Sequence, residues 1–114
     1  MTKAEILALT DSKVEAVEVP EWGKTVHVRT MTGTERDAFE ASCMAGKTGL
    51  NNMTNIRARL CVVCICDDQG ARVFADSDAA VLGAKSAAAL DRIFNAAQKL
   101  NRIGAADVEE LVKN

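Results

Sequence analysis

The sequence of 114 residues has few aromatic side chains and no excess of basic charge. It contains three Phe, one Trp and no Tyr, and its net charge is -2. Proteins that bind nucleic acid usually present a basic patch to the phosphates, and binding of single strands also needs rings on which bases stack. We therefore do not expect nucleic acid as a partner.

The sequence also lacks a long apolar segment. No run approaches the roughly 20 residues that a helix needs to cross a bilayer, and the apolar part of the N-terminal MTKAEILALTDSK is too short for a secretory signal. We therefore expect no membrane partner and a cytoplasmic location, where thiols stay reduced. Four Cys are present, and in that setting they are expected to pack as small apolar residues.

What is present fits one small domain over residues 1–114. The apolar content is 48% and the charged content is 26%, as in ordinary globular proteins. A chain of this length is large enough for one modest hydrophobic core but not for two.

Local signals at the start of the chain predict a short helix and a β-hairpin. Residues 3–10 are expected to be helical, with Thr2 as the N-cap. Val17 and Val19 then alternate with polar neighbours, and so do Val26 and Val28. The turn residues Pro20–Gly23 lie between them, which is a hairpin pattern.

Two further helices follow in the middle of the chain. Thr32 and Glu35 have the spacing of a capping box, which predicts a helix over about residues 33–45. The next segment has two Gly and no periodicity, so we expect a loop. Residues 54–66 suit either a helix or a buried strand, and their length and the cap residue Thr54 favour a helix.

The segment after this helix predicts a turn and a short helix. Asp67–Gly70 has the composition of a turn. Asp76 or Ser77 is expected to cap a helix that runs to Leu82 and ends near Gly83.

The last part of the chain predicts a longer helix that begins after Ser86. Gly104 is suited to end it, and Asp107–Glu110 is a second capping box that opens a final short helix. Apolar residues at helical spacing form one stripe on the longer helix, namely Leu90, Ile93, Phe94, Ala97 and Leu100. The predicted fold class is α+β, with an N-terminal β-hairpin followed by a small bundle of four to five short helices.

Two stretches imitate a nucleotide-binding site. ASCMAGKT (41–48) fits a relaxed phosphate-loop pattern, and VVCICDD (62–68) resembles a strand that ends in a magnesium-binding acid. A true phosphate loop is preceded by a strand and followed by a helix. Here the residues before Gly46 follow a capping box and predict a helix, so nucleotide binding by Ala41–Thr48 is the less favoured alternative.

The remaining polar residues give no sign of a catalytic or metal site. Cys61, Cys64 and Cys66 could begin a zinc site, but Cys43 and His27 are the other available ligands and neither has paired spacing. We therefore interpret the thiols as packing residues, and expect a non-enzymatic protein without a cofactor.

Interaction with another protein is the function that the apolar residues favour. Trp22 lies at a predicted turn, where it either packs over the hairpin core, which is the favoured interpretation, or serves as an exposed contact for a partner. Phe74, Leu90 and Phe94 are further candidates by their apolar character and position, and several short amphipathic helices leave some apolar surface to be covered. One interpretation is therefore that the protein is a small cytoplasmic adaptor that binds other proteins.

The sequence also resembles a known family over about residues 14–101. The likeness lies in WGKTVHVRTMTGTERDAFE (22–40) and in DDQGARVFADSDAAVLGAKSAAALDRIFNAAQKLN (67–101). These stretches contain a Trp-Gly turn, a Thr-Gly-x-Glu-Arg-Asp helix start, an Asp-x-x-Gly-x-x-x-Phe turn and a Lys-Ser helix start. They resemble tail assembly chaperones of long-tailed bacteriophages, the counterparts of the lambda tail-assembly protein G.

The resemblance implies a non-catalytic function during phage assembly. Such proteins bind the tape measure protein, keep it soluble, and help to recruit tail tube subunits in the host cytoplasm. They are absent from the mature virion. The chain ends without the second domain that frameshifting adds to some copies, so the resemblance implies the short form. A long client needs weak, repeated contacts, which makes self-association a further expectation.

Overall fold

The computed structural model describes residues 1–44 and 54–103, and it confirms the predicted α+β class. Predictions for the loop after residue 45, for Gly104 and for the helix after Asp107 lie outside these residues. The elements in chain order are α1 (Lys3–Leu7), β1 (Val14–Val19), β2 (Lys24–Arg29), α2 (Gly33–Met44), α3 (Ile56–Cys64), β3 (Ile65–Cys66), a 3-10 turn (Asp76–Asp78), α4 (Ala79–Leu82) and α5 (Ala87–Leu100).

The predicted hairpin is confirmed. β1 and β2 pair antiparallel, with Val17 opposite Val26 and Val19 opposite Lys24. In the connecting turn Trp22 N donates to Val19 O at 3.0 Å, and Gly23 adopts a φ of +61°, a conformation that Gly adopts without steric cost. The alternating pattern thus places one face of the hairpin against the core.

A third strand was not predicted. β3 pairs antiparallel with β2 through His27–Cys66 and Val28–Ile65, which gives the sheet order β1-β2-β3. The helix expected over residues 54–66 therefore stops at Cys64, where the backbone becomes extended at Ile65. An apolar run of this kind is buried both as a helix and as a strand, so its composition did not show where the helix ends and the strand begins.

The predicted cap of α3 was also wrong. Asn55, not Thr54, is the N-cap, with a φ of 55° in the left-handed region. Asn tolerates this conformation better than most residues. Its side chain makes no capping hydrogen bond, so α3 is held mainly by the burial of its apolar residues.

The capping box of α2 is confirmed and is connected to the sheet. Glu35 N donates to Thr32 Oγ1 at 3.1 Å, and Glu35 Oε1 accepts from Thr32 N at 2.9 Å. The Arg29 guanidinium binds the same carboxylate, with a 2.6 Å contact, and also donates to Val63 O at 3.2 Å. Arg29 therefore joins β2, α2 and α3.

α5 covers the core, and the predicted cap Ser86 is confirmed by a 3.1 Å hydrogen bond from Ala89 N. Of the predicted stripe, Leu90, Ile93 and Ala97 are buried. Phe94 and Leu100 are partly buried against the same core. α5 packs on α3 and on the core-facing side of the hairpin.

The short helix α4 ends at Gly83 as predicted, but its start differs from the prediction. A 3-10 turn over Asp76–Asp78 precedes α4, and neither Asp76 nor Ser77 caps it. Instead, Asp78 Oδ2 accepts a hydrogen bond from Ala75 N at 2.9 Å. Within the described part of the chain, no helix has the length and apolar character needed to cross a membrane.

Candidate functional site

A pocket opens beside β2 where its pairing with β3 ends. β3 has two residues and pairs with His27 and Val28, so the first half of β2 lacks a strand on that side. By the alternation of an antiparallel sheet, the amide and carbonyl of Thr25 point toward this opening. The chain after Asp67 returns to it, with Val73 N donating to Ile65 O at 3.3 Å.

The pocket brings together two of the predicted partner residues, Trp22 and Phe74. It has a volume of 380 Å³. Trp22 and Phe74 are half-buried against the core, and neighbouring Val73 is 57% exposed. The lining consists of Trp22, Thr25, Val26, His27, Ile65, Cys66, Asp67, Val73 and Phe74. We call this site the Trp22–Phe74 pocket.

One rim of this pocket is fixed by the turn that begins at Asp67. The Asp67 carboxylate accepts hydrogen bonds from Gln69 N at 2.8 Å and from Ala71 N at 3.0 Å. These backbone bonds, that of Ala71 first, hold the pKa of Asp67 below its ordinary value. The predicted Asp67–Gly70 turn is confirmed, and Gly70 has a φ of +86°. An acidic group therefore stays charged beside an apolar pocket.

The other two predicted partner residues lie elsewhere. Leu90 is 4% exposed and belongs to the core, so its side chain offers a partner no surface in this structure. Phe94 is half-buried on α5 and does not line the Trp22–Phe74 pocket. The prediction of a contact with a partner protein therefore remains for Trp22, Phe74 and Phe94.

A second cleft, which the sequence did not indicate, lies between α2 and α3. Its volume is 410 Å³, and its floor is apolar. The lining consists of Thr34, Glu35, Ala38, Phe39, Ser42, Arg59, Val62, Val63, Arg72 and Asp76. The spacing of residues 35, 38, 39 and 42 along α2 is the one available sequence signal, because these positions share a helix face.

Arginine side chains in this cleft are held by contacts within the chain. Arg59 donates to Ser42 Oγ at 3.0 Å, and Arg72 donates to Val62 O at 2.9 Å and to Asp76 at 2.8 Å. The Arg29 guanidinium, through its hydrogen bonds, lowers the pKa of Glu35 in turn. The Arg59–Ser42 hydrogen bond gives the cleft a structural role in joining α2 to α3.

The thiols of this structure are buried and free. Burial raises the pKa of Cys61 and of Cys64 to about 12, and raises the pKa of Cys43 and Cys66 as well. Such thiols are neutral at physiological pH and are poor nucleophiles and metal ligands. Among the described residues, no three His, Cys, Asp or Glu side chains are grouped as a metal site.

The nucleotide alternative conflicts with the position of α2. Residues 34–41, which a phosphate loop would require as a strand, are helical within Gly33–Met44. A phosphate loop needs a strand before the motif and a helix that begins at its Lys-Thr pair. Here a helix precedes the motif instead. Ala45–Thr48 themselves lie outside the described residues.

Comparisons with known proteins identify the family of this chain. The model of the phage tail assembly chaperone family matches residues 3–114. The structure of the bacteriophage HK97 tail assembly chaperone is similar in fold, with a TM-score of 0.60 and 18% identity over 85% of this chain and 95% of that chain. No curated protein matches this chain. The chain therefore belongs to the phage tail assembly chaperone family, whose role is non-catalytic.

Proposed function

We propose that this chaperone binds apolar stretches of the tape measure protein in the host cytoplasm and keeps that protein soluble. In this proposal it also helps to recruit tail tube subunits, acts as one domain over residues 1–114, and is absent from the mature virion. The Trp22–Phe74 pocket is the observation that supports it, because a protein with four aromatic residues places two of them there.

The chemistry of the pocket suits an amphipathic helix as client. Its volume of 380 Å³ accommodates one or two large apolar side chains rather than a whole helix. Helix-in-groove recognition uses such anchors at positions i, i+3 and i+4. A long client offers many anchors of this type, so weak individual contacts are sufficient for overall binding.

The charge of the pocket favours a client whose apolar stretches are flanked by basic residues. Asp67 lies in the lining and keeps its charge, and Asp68 follows it in the turn. A rim charge mainly changes the rate of association and its dependence on salt. We therefore assign apolar anchoring to Trp22 and Phe74, and orientation of the client to Asp67.

Co-expression with the neighbouring tape measure protein tests the proposal. The wild-type chain is expected to increase the soluble fraction of the client and to co-purify with it. Trp22→Ala and Phe74→Ala should each weaken the complex by about tenfold or more, as truncation of a buried aromatic anchor does. Phe94→Asp tests the third candidate on the surface of α5.

Val81→Ala is the matched control, because Val81 is 75% exposed and does not line the pocket. Circular dichroism and thermal unfolding of each variant separate loss of binding from loss of fold. If Trp22→Ala and Phe74→Ala remain folded and bind the client as the wild type does, the pocket is not the client site. If the wild-type chain neither solubilises nor binds the client, the proposed function itself is wrong.

A further inference from the structure

The cleft between α2 and α3 contains an apolar hollow that the proposed function does not use. Its apolar lining consists of Ala38, Phe39, Val62 and Val63, and its volume is 410 Å³. Ala38 is exposed, whereas the other three belong to the core. A hollow of this size can take the apolar side chains of one short helix.

Positive side chains outnumber negative ones around this hollow. Arg59 and Arg72 line it together with Glu35 and Asp76. Arg29 approaches from the sheet and donates to Glu35 at 2.6 Å. Three positive and two negative side chains leave an excess of one positive charge. The cleft therefore suits an apolar partner that has acidic residues beside its apolar face.

Residues 107–112 of this chain have the matching chemistry. In the sequence DVEELV, Val108, Leu111 and Val112 have the spacing that places them on one face of a helix. Successive residues are about 100° apart around a helix, so Asp107 and Glu109 lie on opposite sides of that face. An apolar face with an acidic residue on each side results.

The same segment would be stabilised by a covering surface. The capping box Asp107–Glu110 predicts a short helix at this place in the sequence. An isolated helix of one or two turns is marginal in water. Burial of its apolar face against the hollow would remove apolar area from water and would therefore stabilise the helix.

The end of α5 lies close enough to the cleft for this segment to reach it. Arg36 on α2 donates to Asn101 O at 3.1 Å, so α5 ends against the first turns of α2. Ala38, on the cleft side, belongs to the same part of α2. Val108 follows the buried Ile103 by five residues, which span up to about 17 Å when extended. An α-helix with its side chains is about 10–12 Å wide, so the segment can pass around α2 and enter the cleft.

We propose that residues 107–112 dock as a short helix in the cleft between α2 and α3 of the same chain. The three apolar side chains of the segment pack in the hollow, and Asp107 and Glu109 lie toward Arg59 and Arg72. The segment is tethered to α5, so its effective concentration is high and a weak contact is sufficient. None of the described residues that line this cleft belongs to the Trp22–Phe74 pocket, which stays open to the client.

A pair of cysteines tests the docking in the full chain. Ala38→Cys with Leu111→Cys places one thiol in the cleft and one on the apolar face of the segment, and the four native Cys are buried. Mild oxidation is expected to form a disulfide within one chain, seen as a faster-migrating species on a non-reducing gel. Asp37→Cys with Leu111→Cys is the matched control, because Asp37 is exposed on the same helix but is not among the described residues of the lining. The control pair should cross-link about tenfold more slowly or less.

Hydrogen exchange gives a second measurement that needs no new thiol. Ala38→Phe adds a ring that fills the hollow and should expose the segment. Amides of residues 109–114 should then exchange about tenfold faster or more than in the wild type, with an unchanged thermal unfolding midpoint. Asp37→Phe adds the same ring outside the cleft and should leave their exchange unchanged.

Several results would overturn this docking. A disulfide between two copies would place the segment on a neighbouring chain, and equal cross-linking of the two cysteine pairs would show that the segment does not select the cleft. Equal exchange of the segment in the wild type and in folded Ala38→Phe would do the same. These measurements contain no client, so their outcome is separate from that of the proposed function.

Discussion

The core around α3 and α5 and the N-terminal arm, which comprises residues 1–13, use similar apolar side chains but differ in what covers them. Leu60 and Ile93 are enclosed by their own chain, whereas Leu7 and Leu9 are exposed to solvent. Both regions begin a helix with a hydroxyl N-cap. The comparison shows that a helix can form where local signals favour it, even without a tertiary contact. The stability of the fold is concentrated in the core around α3 and α5.

The largest expected effect comes from the core. Ile93→Ala removes a fully buried side chain and should lower the free energy of unfolding by about 2–5 kcal/mol, because a cavity is left where apolar atoms packed. Leu7→Ala in the arm should change it by less than about 0.5 kcal/mol. Urea unfolding of both variants measures this, and a comparable loss from Leu7→Ala would contradict the distinction between the regions.

Alkaline pH should act on the same core. Burial raises the pKa of Cys61 and Cys64 to about 12, above the ordinary thiol value, so the folded state holds protons that the unfolded state has lost. The stabilisation is complete below the unfolded pKa and is lost as pH rises through the folded one. The free energy of unfolding should fall by roughly 1 kcal/mol per pH unit for each thiol that titrates above about pH 9.

Unfolding curves over this pH range check the slope. Cys61→Ala should be less stable at neutral pH but should have a shallower alkaline slope than the wild type. An unchanged slope in this variant would show that other groups cause the alkaline loss.

A somewhat smaller effect is expected from the ion pair of α2. Glu35→Gln should cost about 1–3 kcal/mol, because Arg29 then keeps a buried charge without its carboxylate. The folded pKa of Glu35 is below its ordinary value, so its contribution is present above that value and is lost as pH falls through the folded pKa. The variant should therefore lose less stability in acid than the wild type does.

The exposed pair Arg36–Glu40 on the same helix is the control for this measurement. Its side chains are 37% and 42% exposed, so Glu40→Gln should cost at most about 0.5 kcal/mol. Equal costs for the two Gln variants would show that burial does not distinguish these pairs.

The smallest expected effect compares the two caps. Ser86 Oγ accepts from Ala89 N at 3.1 Å, and Thr2 Oγ1 accepts from Glu5 N at 3.2 Å. Ser86→Ala should cost about 1 kcal/mol, because α5 is part of the cooperative core. Thr2→Ala should leave the unfolding midpoint of the protein unchanged, and a similar loss at both sites would contradict this view of the arm.

Local chemistry explains which parts of the fold were predictable. The hairpin, the Thr32–Glu35 capping box and the Ser86 cap depend on residues within a few positions of one another, and each was predicted and is confirmed. β3 was missed because its two residues form a strand through pairing with β2, which is distant in sequence. Asn55 was missed as a cap because its conformation depends on the packing of α3.

The candidate site was less predictable than the fold. Trp22 and Phe74 were singled out separately for their apolar character, but nothing local indicated that the sheet would bring them into one pocket. Leu90 had the same character and is buried in the core. Amphipathic spacing identifies which face of a helix is apolar, but it does not show whether the chain covers that face itself.

The late position of β3 in the sequence has a consequence for the order of folding. A β-hairpin such as β1–β2 forms within about 1–10 μs, because its two strands are adjacent in the chain. β3 pairs with β2 only after the long segment between Thr30 and Cys64 has closed into a loop. Loop closure lowers the entropy of the chain before the new contacts can stabilise the fold. The Trp22–Phe74 pocket should therefore be among the last features to form, and a nascent chain would acquire this proposed client site only when synthesis has passed Phe74.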